Sequence, residues 1–225
     1  MSRRSERSAR VAFAAASAAM LLAACGAAGL ASESPSQILA AARTAVLNAS
    51  SYEISGTGDF GSGIDRLDFK IVGTNLNGTF GEGASTIDVI VLDGNVYLKA
   101  PAGYYTADGV SATEAATLAS TWVEATAGSS VAGDFSSLSD LTDIAAELPN
   151  TGTLISKGTG TVDGQAVVIL ADPGDGTTLA VATSGAAYPV QMRKVGSATT
   201  TFDLFNWNAL TPFTAPPNPL TLPGG

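Results

Sequence analysis

Two Asp-Gly dipeptides constrain this chain more than any other feature. Asp93-Gly94 separates "STIDVIVL" from "NVYLKA", and Asp163-Gly164 separates "GTLISKGTGTV" from "QAVVILAD". Asp-Gly between β-branched runs signals a two-residue hairpin, because both turn positions need positive φ and these residues reach it at low cost. A chain with such turns builds antiparallel sheet. The alternation agrees: Leu67, Phe69 and Ile71 fall on one face of a strand while Asp68 and Lys70 fall on the other, and Ile87, Val89 and Val91 repeat the pattern. Further short runs, "SYEISGTGDF", "IDRLDFKIVG", "NLNGTFGEG", "TTLAVATS", "YPVQMRKVG" and "ATTTFDLFN", bring the expected strands to about ten. The likeness between the two hairpins is only one hairpin long, too short to make a repeat protein.

Helical signals interrupt the strands. In "SPSQILAAARTAVLNAS" Ser34 is an N-cap, Pro35 takes the first helical position, and Gln37 completes a capping box. Ile38, Leu39, Ala42, Ala45, Val46 and Ala49 then recur on one helical face. Ser111 and Glu114 form a second box ahead of "AATLAST", and Phe135, Leu138, Leu141, Ile144, Ala145 and Leu148 keep helical spacing until Pro149. The expected fold class is α+β, a curved antiparallel sheet with helices on one face.

The N-terminus sets the compartment. Arg3, Arg4, Arg7 and Arg10 precede an uncharged run from Val11 to Ala24, which ends at Cys25, the one cysteine of the chain. A basic region, a short apolar region and small residues make a secretory signal, and the run falls short of the ~20 residues of a membrane span. Leu22-Ala23-Ala24-Cys25-Gly26 resembles the lipobox of bacterial lipoproteins. That resemblance implies cleavage between Ala24 and Cys25, a diacylglycerol thioether on Cys25, and further acylation such as palmitate at the new N-terminus. Two or more acyl chains anchor a protein that one chain holds only marginally. A disulfide within the chain is impossible with one cysteine. The organisation expected is signal peptide 1–24, lipidated tether 25–33, one domain 34–211, and a Pro-rich extended tail 212–225.

Charge and chemistry exclude several functions. After cleavage seven basic residues face nineteen acidic ones, a net charge of −12. Such a surface repels nucleic acid and anionic headgroups, so the body is expected to stand off the bilayer on its tether. The chain has no histidine, which removes the usual general base and the commonest metal ligand. No Ser-x-x-Lys precedes Lys70, Lys99, Lys157 or Lys194, so no serine-lysine pair is signalled. Asp65 with Asp68 reads as a solvated face rather than a dyad, and Asp172 with Asp175 in "ADPGDGTT" reads as a turn without calcium-loop spacing. "GTGDFGSG" lacks the strand-to-helix context of a phosphate loop. No catalytic residue, metal or cofactor is expected. Trp122 and Trp207 could line a ligand mouth or close a core.

The lipobox, the capped helix and the interrupted strands together resemble the LppX/LprG class of mycobacterial and related actinobacterial envelope lipoproteins, which share the fold of the LolA and LolB carriers. "ILAAARTAVLNASSYEISGTG", "LDGNVYLKAPAGYY", "TWVEATAG" and "FNWNALTPFTAPP" carry the resemblance, from Ser34 to Pro217. It implies a half-open β-barrel whose concave face is covered by helices over an apolar cavity. It also implies an acylated lipid or glycolipid as ligand, and association with moving that ligand across the envelope. An envelope transporter or another protein is a further partner that the resemblance leaves unspecified. Leu67, Phe69, Ile71, Ile87, Val89 and Val91 are the candidate cavity lining, with ordinary core as their other reading. An alternative function is a sensory or scaffolding lipoprotein that binds another envelope protein through the same fold.

The anchor is directly testable. Cys25→Ser is expected to move the protein from the detergent phase to the aqueous phase in cloud-point partitioning and to abolish incorporation of radiolabelled palmitate. Unchanged partitioning would remove the lipidation reading.

Overall fold

Strand-forming runs recur as the alternation predicts. The computed structural model describes residues 27–59, 64–125, 145–146, 148–149, 154–196 and 199–221, and it assembles the runs into one sheet. The described residues begin with α1 (Ala27–Leu30) and α2 (Pro35–Leu47). Five strands follow: β1 (Ser51–Asp59), β2 (Ile64–Val72), β3 (Asn75–Gly81), β4 (Ile87–Leu92) and β5 (Asn95–Lys99). Then come α3 (Ala102–Ala107), α4 (Ala112–Leu118) and β6 (Val123–Ala125). The second half holds β7 (Ile155–Val162), β8 (Gln165–Ala171), β9 (Thr177–Ala182), β10 (Pro189–Val195), β11 (Thr199–Phe205) and β12 (Leu220–Thr221). The strand order is β12-β6-β5-β4-β3-β2-β1-β11-β10-β9-β8-β7, so the sheet curves without closing.

Both Asp-Gly pairs make the expected turns. Asp93 and Gly94 have φ of 51° and 83°, and Asp163 and Gly164 have 48° and 81°. These are the paired left-handed conformations that a type I′ hairpin requires. Helix α2 opens as its capping box predicts: the Ser34 hydroxyl accepts the Gln37 backbone N–H while the Ser34 N–H donates to Gln37 Oε1 at 3.1 Å. Helix α4 shows one half of its expected box, with Ser111 Oγ accepting the Glu114 N–H at 3.3 Å, while the Glu114 carboxylate accepts from the Ser111 hydroxyl at 2.7 Å.

Register turns alternation into one continuous apolar face. Tyr52 lies opposite Ile71, and Ile71 opposite Leu76; Leu76 in turn lies opposite Val91, and Val91 opposite Val96. A parallel row runs from Leu204 through Ile54 to Phe69. These residues form one buried cluster with Tyr105 of α3 and Ala115 of α4. A second cluster packs Ile38, Leu39, Ala42 and Val46 of α2 on Val168, Leu170, Leu179 and Val181 of β8 and β9. Each large aliphatic side chain buried here contributes roughly 1.5–3 kcal/mol. Ion pairs add little, since the Lys99–Asp88 pair spans 3.9 Å between half-exposed side chains and such pairs are worth about 0–1 kcal/mol.

Trp207 joins the two clusters. Its ring packs against both, stacking on Tyr52 at 5.1 Å and on Tyr188 at 4.6 Å between centroids. Its indole N–H donates to the Pro189 carbonyl at 3.1 Å. Burial pushes the Tyr52 phenol well above its ordinary pKa, so this ring stays neutral in the core.

Four details depart from expectation. The sheet has twelve strands rather than about ten, because β6 and β12 are too short to read from sequence. Strand β12 runs parallel to β6, so the sheet is not wholly antiparallel, and the Leu220 N–H donates to the Trp122 carbonyl at 2.8 Å. Residues expected to form a free tail therefore supply an edge strand. The expected tether also folds: α1 is helical, and Leu30 and Ala31 pack against the α2 cluster because their apolar side chains reach it. Of the second central helix, Phe135, Leu138, Leu141 and Ile144 lie outside the described residues, while Ala145 is helical and Ala145 and Leu148 join the α2 cluster.

Two strand glycines sit where no side chain fits. A β-carbon at Gly78 would run into the Asp68 carbonyl oxygen and then the Phe69 ring at 2.7 Å, and one at Gly56 into the Thr201 carbonyl oxygen and then the Phe202 ring at 2.8 Å. Gly78→Ala is expected to destabilise the fold by about 1–3 kcal/mol through overpacking. A lowered urea midpoint with unchanged slope is the check, and an unchanged midpoint would refute the packing account.

Candidate functional site

Three strands change polarity at the same level. On the face that carries both clusters, Leu179, Met192 and Phe202 of β9, β10 and β11 are cross-strand neighbours in one row. Two residues further along, Thr177, Lys194 and Thr200 form the next row. Side chains two apart on a strand share a face, so an apolar row abuts a polar row with no residue between.

A cleft of about 370 Å³ opens over this boundary. Met192 and Phe202 supply its apolar floor, and Thr177, Lys194, Thr200 and Asp175 its polar side. Ala146, Leu148 and Pro149 form the opposite wall. Helix α2 holds that wall: Arg43 Nη2 donates to the Leu148 carbonyl at 3.3 Å and to the Pro149 carbonyl at 3.2 Å. The cleft is therefore bounded by the sheet on one side and by a segment clamped to α2 on the other.

The charges of the polar side are paired. Lys194 Nζ lies 3.4 Å from Asp175 Oδ2, and the Thr177 backbone N–H donates to Asp175 Oδ1 at 2.9 Å. The Thr177 backbone bond, then its side chain and Lys194, hold the Asp175 carboxyl below the usual aspartate value. "ADPGDGTT" is the turn it was expected to be: the Gly174 N–H donates to Asp172 Oδ1 at 2.8 Å and the Gly176 N–H to the Asp172 carbonyl at 3.0 Å.

A second hollow of about 370 Å³ includes Ser55, Asp203 and Phe205 of the reverse face, with Asp163 and Gln165 at its edge. Asp203 accepts from Gln191 Nε2 at 2.8 Å. Val190, Leu204 and Phe205 give it an apolar side next to Ser55 and Asp203, but among the described residues none of a helix or of the α2-clamped segment lines it.

The residues singled out from sequence fall into three groups. Ala24 and Cys25 lie outside the described residues. Leu67, Phe69, Ile71, Ile87, Val89 and Val91 come together in one buried cluster on the same sheet face as the cleft, and none of them lines it. Asp65 and Asp68 point to opposite faces of β2, since Asp65 shares the parity of Leu67, so they cannot act on one substrate atom. Trp207 closes the core, and Trp122 is half-buried beside the β12 edge. Among the described residues no three of His, Cys, Asp and Glu converge as a metal site would require.

The cleft residues were not found by motif, because Thr177, Lys194 and Thr200 are neighbours only through pairing. The one sequence signal is the shared parity of Met192 and Lys194 in "YPVQMRKVG".

Asp175 titration tests the electrostatics. Its depressed value means that the ion pair is intact at neutral pH and is lost as pH falls through that lowered value. Carboxyl carbon shifts followed by NMR should give a midpoint below the ordinary aspartate value. Lys194→Met should leave most of the depression in place, because the Thr177 bond is its larger cause; complete loss would reverse that order.

The fold is shared with two solved mycobacterial structures. The crystal structure of LprF from Mycobacterium bovis is 15% identical with a TM-score of 0.52, and the match covers 82% of this chain and 96% of that one. The crystal structure of the Mycobacterium tuberculosis lipoprotein LppX is 18% identical with a TM-score of 0.50, covering 80% of this chain and 99% of that one. At these identities the likeness establishes the fold, a large curved and unclosed sheet with few helices. No family model matches the sequence, and no curated protein matches it.

Proposed function

We propose that this chain is an envelope lipoprotein, anchored through Cys25 on the extracytoplasmic face of the cell membrane, that binds an acylated lipid or glycolipid and carries it between envelope layers. The observation that carries the reading is the cleft over the polarity boundary, between the sheet and the α2-clamped segment. Ligand sites are concave, mostly apolar and marked by a few placed polar groups. In this cleft Met192, Phe202 and Leu148 supply the apolar surface and Thr177, Thr200, Lys194 and Asp175 the larger, polar share, so a place for an acyl chain adjoins one for a polar head. The fold shared with LprF and with the lipoprotein LppX supports the reading, as does the lipobox-like sequence ahead of the domain. The protein binds and releases its ligand without chemistry.

Organic extraction tests this. The Cys25→Ser protein purified from an envelope fraction should release acylated lipid in near-stoichiometric amount by mass spectrometry. A clean extract from folded protein would overturn the reading.

A further inference from the structure

We infer that the β9–β11 cleft is a subsite for a single acyl chain whose polar head carries no net charge. The inference rests on the lipid-binding reading above and specifies its ligand. Three observations carry it.

The first is the pair of rows. A chain lying on Met192 and Phe202 places its head, one row further on, among Thr177, Lys194 and Thr200. An amphiphile suits both rows, its chain covering the apolar floor and its head lying beside Thr200 and the Lys194–Asp175 pair.

The second is size. About 370 Å³ stands near the lower end of the ~300–1,000 Å³ range of ligand pockets, which suits one chain rather than several.

The third is the charge of the polar side. Among the described residues, Lys194 and Asp175 are the two charged ones lining the cleft, and they neutralise each other at 3.4 Å. An anionic head that engages Lys194 meets Asp175 at close range, and a cationic head that engages Asp175 meets Lys194. A zwitterionic or hydroxylated head can satisfy both, its donors facing Asp175 and its acceptors facing Lys194. Asp175 cannot withdraw, because the Thr177 N–H fixes its other oxygen.

The experiment uses the purified full chain and photoreactive single-chain probes with three heads. These are lysophosphatidylethanolamine, which is net neutral, lysophosphatidylglycerol, which is anionic, and an alkyltrimethylammonium, which is cationic. Labelled peptides are mapped by mass spectrometry. The neutral probe is expected to label the peptide holding Met192 and that holding Phe202, about two- to fivefold more than either charged probe, the size of one exposed charge contact. Asp175→Asn should shift preference to the anionic probe, and Lys194→Met should shift it to the cationic one. Opposite responses to two surface substitutions cannot come from a common folding defect. The same head order in all three proteins overturns the inference while leaving lipid binding intact, and so does labelling confined to other peptides. No labelling by any probe, together with a lipid-free extract, overturns the lipid-binding reading itself.

Discussion

The Trp207 ring is the contact on which this architecture turns. The sheet is built from two halves, each with its own buried cluster and its own helices, and Trp207 packs against both. It holds that position because its neighbours leave it little choice. Tyr52 and Tyr188 stack on its two sides, and its N–H is tied to Pro189. Asn206 and Asn208 flank it with φ of 52° and 58°, conformations that asparagine tolerates better than most residues. Their side chains add direction: Asn206 Nδ2 donates to Glu53 Oε2 at 2.8 Å, and Asn208 Oδ1 accepts from the Ser50 N–H. The segment after β11 is thereby sewn to the start of β1. Besides that seam, the two halves meet through the Leu179–Met192–Phe202 row, where Met192 packs on the α2 cluster and Phe202 on the other.

An unclosed sheet also has to manage two edges, which invite pairing with other chains. At one end the two residues of β12 cover the short β6, leaving little backbone to template. At the other end β7 is long and exposed, but its register slips between Ser156 and Gly158, where Gly158 takes a φ of 92°. Lys157 sits within that irregularity. A bulge and a lysine on an edge both discourage a further strand. The openness of the sheet therefore does not make this edge an evident docking strand. What openness does leave is the cleft between β9–β11 and the segment clamped to α2, whereas a closed small barrel fills its interior with its own side chains.

Much of this was legible in the sequence. Period-two alternation and Asp-Gly turns located all ten longer strands, because each is decided by neighbours along the chain. The α2 helix was legible for the same reason, through Ser34, Pro35 and Gln37. Helix α3 was not, since "AGYYTA" holds two aromatic residues that favour strands and begins after Pro101, which offers no side-chain cap. Strands β6 and β12 are three and two residues long and exist only because partners hold them. Alternation showed that Leu67, Phe69 and Ile71 share a face, but a face does not reveal whether helix, ligand or water lies above it. The cleft was invisible for a sharper reason: its polar row is assembled from three strands whose alignment follows from pairing.

The folded N-terminus changes how the site relates to a membrane. With the anchor proposed at Cys25, the first residue packed on the domain is Leu30, five residues later. Two extended steps of 3.3–3.6 Å and three helical steps of 1.5 Å through α1 make a leash of at most about 12 Å, less than half the thickness of a bilayer's hydrocarbon core. A tether running freely to residue 33 would allow more reach and more rotation. Net negative charge pushes the body outward, but the leash sets the limit, and charge repulsion fades over a Debye length of about 8–10 Å. An anchor at Cys25, as proposed, would keep the domain near the headgroup layer, where a rim with internally paired charges suits a head without net charge. The net negative charge of the protein and Asp175 at the rim act in the same direction, both against an anionic head, and this agrees with the neutral head proposed for the ligand.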